Sequence, residues 1–192
     1  MSIKTAEDLF LDGLKDIYSA EKQAIRAYPR VTKAATSEEL KQALQSHLEQ
    51  TKEQLERLDR VFEILEKRSS DKTCEAMKGL IEEAKESIEE IEQGPVLDVA
   101  IIAAAQRIEH YEIAAYGTVA ALAEAMGQEE IKNLLTETLN EEKQTDELLT
   151  NVSQQVNADA LSDSEEDEDE GEEEAKKQPA PKKAAAKKSA NK

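Results

Sequence analysis

Aromatic residues and cysteine are scarce in this chain. Its 192 residues include no Trp, two Phe, four Tyr and one Cys. Strands favour aromatic and β-branched side chains, whereas Ala, Leu, Glu, Lys and Gln dominate this sequence up to about residue 156. The single Cys74 cannot form an intrachain disulfide. We therefore expect an all-α protein that folds without disulfides.

Long apolar runs and an excess of basic charge are also missing. No stretch approaches the length of a membrane-spanning helix, and the start, MSIKTAEDLF, has no basic segment followed by an apolar run. We therefore expect a cytoplasmic protein that does not associate with membranes. The formal net charge of -18 at pH 7 repels nucleic acid and attracts cations. Nucleic acid is expected to bind only weakly, through the Lys-rich end of the chain.

Helical periodicity occurs in five blocks. The first runs from about Thr5 to Ala34, and Pro29 inside it predicts a bend or a break. The later blocks cover residues 36–68, where Thr36-Ser-Glu-Glu39 is a capping-box pattern, then 72–93, 95–126 and 128–156. Gly94-Pro95 and Gly127 mark the two ends of the fourth block, because Pro suits a first helical turn and Gly suits a helix end.

Composition changes sharply after residue 158. An acidic run, SDSEEDEDEGEEE, is followed by AKKQPAPKKAAAKKSANK, and neither has apolar periodicity that can form a core. We therefore divide the chain into a helical bundle domain, residues 1–156, and a disordered acidic-then-lysine-rich tail, residues 157–192. The tail is interpreted mainly as a solubilising polyampholyte, with binding of nucleic acid or an acidic partner by its Lys residues as the alternative.

The four long helices contain an internal repeat with an offset of 91 residues. Helix one has a heptad-spaced apolar seam in which Glu21 is the one charged residue, and helix four repeats this seam with Glu112 in the equivalent place. Helices two and five are related by the same offset, and their seams are apolar at the ends and polar in the middle. Two helical hairpins joined by a long connection, residues 67–95, are therefore predicted to form an antiparallel four-helix bundle.

The polar positions of such a bundle fall into one layer about halfway along its axis. Glu21, Glu112 and Glu142 are expected to face one another there, and the sequence places Glu109 and Asp146 one turn away. Carboxylates gathered in a low-dielectric core repel each other and lose hydration, at a cost on the order of several kcal/mol per ion. No Lys or Arg lies on the seams, and five acids are too many for protonation alone. Carboxylates with one or two imidazoles are typical ligands of iron, manganese or, less favourably, zinc.

Other interpretations of these residues stay open. The acids can lie on flanking faces as ordinary surface groups, because 35% of the chain is charged. His47 and Gln54 on helix two are candidates for alternate ligands, although His47 is equally well explained as a hydrogen-bonded core histidine. His110, one residue off the seam, is expected to support a ligand by a hydrogen bond or to be exposed. The tyrosines of helices one and four are interpreted as packing residues that can also hydrogen-bond ligands.

Four sequence blocks resemble a known family. They are DIYSAEKQ (16–23), HLEQT (47–51), AAAQRIEHYEIAAYGT (103–118) and EEKQTD (141–146). The blocks are similar to those of the YciF/YciE-type bacterial stress proteins, within the ferritin-like superfamily, and the resemblance covers nearly all of residues 1–156. It implies a ferritin-like bundle with an extra helix in the long crossover, which binds two iron or manganese ions.

The resemblance also implies which residues bind the metals. The superfamily supplies one Glu from each of two helices and a Glu-x-x-His motif from each of the other two. Glu21 and Glu112 match the single glutamates, and Glu142 matches the glutamate of the motif on helix five. Glu109 together with Glu112 resembles the paired glutamates of rubrerythrin-type proteins.

The chain departs from that pattern at the histidines. Thr145 occupies the histidine position of helix five, with Asp146 beside it as a substitute. On helix two the corresponding pair is Thr51 and Gln54, so the ligand set is depleted on that side. Metal occupancy is therefore expected to be one-sided, weak or absent.

These observations lead to three functional hypotheses, one of which is sequestration of the metal without turnover. The first is a stress-response protein with a ferritin-like carboxylate-rich site for one or two iron or manganese ions, with protective oxidase or peroxide chemistry. The alternative is a non-catalytic structural or partner-binding stress protein with a degenerate metal site. The sequence leaves open whether a reaction is catalysed. We also expect self-association, as a homodimer, through an exposed apolar helix face.

Overall fold

The computed structural model of this protein describes residues 3–69 and 72–177, and its side chains as far as Ser162. The helices are α1 (Ala6–Ala34), α2 (Glu38–Ile64), α3 (Glu75–Glu90), α4 (Pro95–Ala125) and α5 (Glu129–Lys177). These ranges contain no strand, which confirms the all-α prediction. None of the helices in the described ranges has the length and hydropathy that a membrane span requires.

Helix α1 begins with a capping box. The Thr5 hydroxyl accepts a hydrogen bond from the Asp8 backbone N–H, and the Asp8 carboxylate accepts one from the Thr5 backbone N–H. Pro29 lies inside α1 without ending it, so the break considered at this position is not present.

The ends of α2 differ from the sequence prediction. Its N-cap is Ser37 rather than Thr36, and the Ser37 hydroxyl accepts a hydrogen bond from the Leu40 backbone N–H at 3.3 Å. The helix ends at Ile64, before the predicted end near residue 68. Glu66 adopts a φ of 54°, a left-handed conformation that turns the chain away from the helix axis.

The end of α4 follows the prediction. Gly127 has a φ of 71°, the left-handed conformation that glycine adopts without a steric penalty. The helix stops at Ala125, and the chain reverses into α5.

Buried Asp98, in the first turn of α4, holds the connection between α1 and α2. Its carboxylate accepts hydrogen bonds from the Thr36 backbone N–H at 2.7 Å, the Thr36 hydroxyl at 2.6 Å and the Ser37 backbone N–H at 2.7 Å. Thr36 is therefore used to join the two hairpins, which explains why the cap of α2 moves to Ser37.

Asp98→Ala is expected to lower the free energy of unfolding by about 2 to 3 kcal/mol, because three donors lose a charged acceptor and two of them are backbone groups. Urea denaturation measures the change. Glu92→Ala, at an exposed position of the preceding connection, is the control and should change stability by less than about 0.5 kcal/mol. Equal effects of the two substitutions would show that Asp98 does not hold the connection.

The helices pack as two hairpins, α1 with α2 and α4 with α5. Helix α2 packs against α5 and α1 against α4, so the four long helices surround one axis. Helix α3, in the long crossover, packs outside this bundle against α1 and α4. This arrangement confirms the predicted bundle with an extra helix in the crossover.

Two apolar clusters fill the bundle on either side of its middle. The first includes Phe10, Leu14, Leu58, Val119 and Leu135. The second includes Ala24, Leu44, Ile101, Leu149 and Val156. The polar stretch of each long helix lies between its contributions to these clusters, so the layer predicted from the repeat is present.

Helix α5 is longer than the sequence predicts. Val156 is its last fully buried side chain among those described up to Ser162, but the helix continues to Lys177. Glu, Ala and Lys favour helix, and the first proline after Val156 is Pro179. The predicted tail, residues 157–192, falls partly on this extension, and residues 178–192 lie outside the described residues. The domain division at residue 156 stays a prediction.

Candidate metal centre

Four buried side chains from three helices converge in the polar layer. They are His47 of α2, Glu109 and Glu112 of α4, and Glu142 of α5. One ligand atom from each lies within 4.8 Å of the others. Glu109 and Glu112 are three residues apart and so project from one face of α4. Ligands about 2.0 to 2.2 Å from one metal ion lie at most about 4.4 Å apart, so this cluster is close to the size that a single ion requires.

The His47 ring is held from one side and faces the carboxylates with the other. Its Nδ1 lies 3.1 Å from the Thr145 hydroxyl oxygen. Its Nε2 lies 3.2 Å from Glu109 Oε1 and 3.8 Å from Glu142 Oε2, although neither contact has hydrogen-bond alignment. The resemblance implies a histidine at the position of Thr145, and here the Thr145 hydroxyl orients the histidine of α2 instead. A hydrogen bond at one imidazole nitrogen commonly orients the other nitrogen towards a metal.

Two buried tyrosines support carboxylates of the layer. The Tyr116 hydroxyl donates to Glu21 Oε1 at 2.5 Å, and the Tyr28 hydroxyl donates to Glu109 Oε1 at 3.2 Å. Glu21 lies in the same layer but does not belong to the four-residue cluster. The structure thus confirms that tyrosines of α1 and α4 hydrogen-bond the acids.

Several buried polar atoms of the layer have no hydrogen-bond partner among the described residues. They are Glu21 Oε2, His47 Nε2, Gln54 Oε1, Glu109 Oε2, Glu112 Oε1 and both carboxylate oxygens of Glu142. Buried polar groups are normally paired, and an unpaired group costs about 1 to 3 kcal/mol or more if it is charged. The donor set of carboxylate oxygens and one imidazole therefore fits a bound cation.

The environment of the layer disfavours charged carboxylates. Burial raises the pKa of Glu21 to about 7, although the Tyr116 hydrogen bond acts in the opposite direction. Burial raises the pKa of Glu112 and Glu142 well above the ordinary glutamate value, and neighbouring carboxylates raise it further. Burial alone lowers the pKa of His47, but the negative charge of Glu109 raises it overall. Without a cation, the layer holds protons more tightly than the unfolded chain does.

The structure does not bring Asp146 or His110 into the cluster. Asp146 accepts a hydrogen bond from Gln106 Nε2 at 3.0 Å and lies 3.3 Å from His110 Nε2. His110 is 69% exposed, in agreement with the exposed alternative. Each residue turns an α-helix by about 100°, so Asp146 points to the outer edge of the α4–α5 pair while Thr145 points inwards. The prediction that Asp146 replaces a histidine ligand is therefore corrected.

The guanidinium of Arg57 lies beside the polar layer, and the seam pattern did not predict it. Arg57 of α2 has a side chain that is only 13% exposed, and its guanidinium donates to the Thr138 hydroxyl and to both oxygens of Glu141. Gln54 is buried and also donates to Glu141, at 3.1 Å. Sequence position could have indicated this contact, because Arg57 is one turn beyond Gln54 and Glu141 adjoins Glu142.

The chain matches known proteins over most of its length. A family model described as a domain of unknown function (DUF892) matches residues 5–161. Protein YciF of Escherichia coli strain K12 is 51% identical over 154 residues, which cover 80% of this chain and 93% of that protein.

Solved structures agree with these matches. The E. coli stress protein YciF has a TM-score of 0.78 and 50% identity, and the match covers 80% of this chain and 98% of that one. YcfI of Rhodopseudomonas palustris has a TM-score of 0.76 and 50% identity, covering 78% and 95%. A protein from Xanthomonas campestris, at 18% identity and a TM-score of 0.68, shows the fold alone and covers 84% and 99%. The chain therefore belongs to the YciF family, which the DUF892 model describes.

Proposed function

We propose that this protein binds one iron or manganese ion through His47, Glu109, Glu112 and Glu142, and that the bound metal protects the cell during stress. The observation that carries the proposal is the convergence of buried, unpaired carboxylate oxygens on one imidazole nitrogen, within 4.8 Å. A cation at their centre compensates the repulsion and satisfies the unpaired atoms together.

The donor set favours iron or manganese over other common cations. Three carboxylates and one imidazole supply oxygen and nitrogen but no thiolate, which suits Fe(II) and Mn(II). Calcium prefers six to eight oxygen ligands, and magnesium usually keeps several waters. Both preferences fit poorly with a dry layer closed by apolar clusters at each end.

The polar layer also contains Glu21 and Gln54, which do not belong to the four-residue cluster. Their partners favour one metal ion rather than the two that the family resemblance implies. Glu21 is engaged by the Tyr116 hydroxyl, and Gln54 directs its amide group to Glu141. The positive charge of Arg57 lowers the pKa of Glu21, so a permanent cation already favours the charged form of this carboxylate. A second divalent ion beside a guanidinium would be repelled, and Gln54 would give it only a neutral ligand.

Bound iron or manganese supplies redox chemistry towards oxygen or peroxide. The protein's own residues hold the ligands in place: Thr145 orients His47, and the Tyr28 hydroxyl orients Glu109. The apolar clusters on both sides exclude water from the layer. A protective role is supported by the relative from E. coli, which is described as a stress protein.

Elemental analysis tests the metal assignment. Protein purified without chelator, or loaded anaerobically with Fe(II) or Mn(II), should hold about one ion per chain. Glu112→Gln and Glu142→Gln should each reduce the content at least about tenfold, because each removes a charged ligand. Glu147→Gln, at an exposed position of α5, is the matched control and should retain the metal. Absence of metal from the loaded wild-type protein would contradict the proposal.

Peroxide consumption tests the protective chemistry separately from binding. The metal-loaded wild-type protein should consume hydrogen peroxide faster than the metal-free protein, and Glu112→Gln should remove the difference. Equal rates with and without bound metal would show sequestration of the ion without turnover.

A non-catalytic structural or partner-binding role is the second candidate. It is favoured by Thr51, Gln54 and Thr145, which stand where the superfamily supplies metal ligands. Under this role, deletion of residues 157–192 should abolish capture of a partner, while Glu112→Gln should leave capture intact. The opposite pattern would rule it out.

A further inference from the structure

A small apolar cavity of about 90 Å³ lies between α1, α3 and α4, outside the polar layer. Its walls are mainly small and aliphatic side chains, among them Ala24, Ala27, Ala84, Ala105 and Ile108. Alanines from all three helices face this space, so the helices approach without filling it. An enclosed surface of this kind holds water poorly, because it offers few hydrogen-bond partners.

The rim of the cavity is basic. Arg26, Arg30 and Lys85 line it where it reaches the surface. Two adjoining grooves between α1 and α3 add Lys33 on one side and Lys78 on the other. Glutamates of α3 pair with Arg30, Lys78 and Lys85, so Arg26 is the basic residue that most favours an anionic group at the rim.

The rim is available to an incoming anion. Arg30 pairs with Glu89 at 2.7 Å, but both side chains are exposed, and exposed pairs contribute little. Lys85 pairs with Glu82 at 3.1 Å under similar conditions. Arg26 forms no ion pair with any residue in the described part of the chain. An entering carboxylate can therefore compete for these cations.

We propose that this cavity binds a medium-chain carboxylate, with the end of its alkyl chain in the cavity and its carboxylate at Arg26 and Arg30. Apolar walls beneath a basic rim match the two parts of such a molecule. A dry cavity of about 150 Å³ accepts the six carbons of benzene, so on the same scale this cavity of about 90 Å³ suits the last three to four carbons of a chain.

The cavity is separate from the metal cluster. Tyr28 forms the wall between them, since its side chain lines the cavity and its hydroxyl donates to Glu109. A bound chain end therefore contacts Tyr28 and no carboxylate of the cluster. Carboxylate binding is expected to persist in Glu112→Gln, so failure of the metal proposal and failure of this one can be distinguished.

Isothermal titration calorimetry with butyrate, hexanoate, octanoate and hexanol tests the proposal. The affinity should rise about fourfold for each methylene group that enters the cavity and then level off, because only the buried part of the chain gains free energy. Hexanol, which lacks the charge, should bind more weakly than hexanoate. Affinity that rises with chain length without a limit would indicate non-specific adsorption and overturn the proposal.

Substitutions locate the binding. Arg26→Gln should weaken hexanoate binding up to about fivefold, the range expected for an exposed charge contact. Ala27→Leu should remove binding by filling the cavity, while Arg60→Gln on α2, whose side chain is 57% exposed, should change nothing. Equal binding by Arg26→Gln and Arg60→Gln would overturn the proposal. Absence of hexanoate binding together with a changed oligomeric state of Arg26→Gln would assign the groove to a second copy of this chain instead.

Discussion

Saturating Fe(II) or Mn(II) is expected to raise the free energy of unfolding of the wild-type protein by about 3 to 4 kcal/mol. This is the stabilisation expected at ligand concentrations of about 100 to 1,000 times the dissociation constant. The proposed ligands come from α2, α4 and α5, and they meet only in the folded bundle. A metal at this proposed site is therefore expected to bind the folded state and not the unfolded chain.

Anaerobic denaturation in the presence of metal or of a chelator measures this effect. Glu112→Gln should lose most of the metal-dependent stabilisation, and Glu147→Gln should retain it. Magnesium should stabilise much less, because it binds imidazole poorly and gives up its waters reluctantly. Equal stabilisation of the wild-type protein and Glu112→Gln would place the metal elsewhere.

The metal-free protein is expected to lose stability as the pH rises from 5 to 8. Burial raises the folded-state pKa of Glu21, Glu112 and Glu142. Their protonation therefore contributes to the free energy of unfolding, and this contribution is fully present below the unfolded pKa near 4.5. It is lost as the pH rises towards the folded pKa values. The raised pKa of His47 acts in the same direction. Glu21 alone, with a pKa of about 7, accounts for a loss on the order of 3 kcal/mol.

Urea denaturation of the chelated protein at several pH values tests this prediction. Glu112→Gln removes a carboxylate that must either take up a proton or bury its charge on folding, so it should stabilise the metal-free protein by about 2 to 4 kcal/mol at pH 8 and much less at pH 5. Glu147→Gln should follow the wild-type protein throughout. Metal should reverse the trend, because it competes with protons for the same ligands and binds better at higher pH. A metal-free protein whose stability rises from pH 5 to 8 would contradict the assignment of the buried layer.

Together these two predictions describe a polar layer that lowers the stability of the metal-free bundle and raises the stability of the metal-bound bundle. An apolar residue at Glu112 or Glu142 would extend the neighbouring clusters and remove the electrostatic penalty. The acids are therefore poor choices for stability alone. The proposed metal explains their arrangement, because Glu112 and Glu142 lie in one buried cluster with Glu109 and His47 and keep unpaired oxygens there.

Much of the architecture could be predicted from the sequence because its signals are local. Heptad spacing, Gly127 and the Gly94-Pro95 pair located the long helices, and all of their ends except the end of α5, to within a few residues. The offset between Glu21 and Glu112 indicated two similar hairpins. That repeat also predicted a polar layer between two apolar clusters, because equivalent seam positions lie at equivalent heights in a bundle. The length of α5 was not predictable from packing, since its last part extends beyond the core.

The membership of the cluster was decided only by the tertiary structure. Asp146 and Thr145 are adjacent in sequence, yet a rotation of about 100° sends one outwards to His110 and the other inwards to His47. His47 was ambiguous because its role depends on groups from α4 and α5. Arg57 lies off the seam and reaches the layer only through its long side chain. Sequence periodicity determines which face of a helix is buried, whereas the distances between side chains of different helices depend on how those helices rotate and pack against one another.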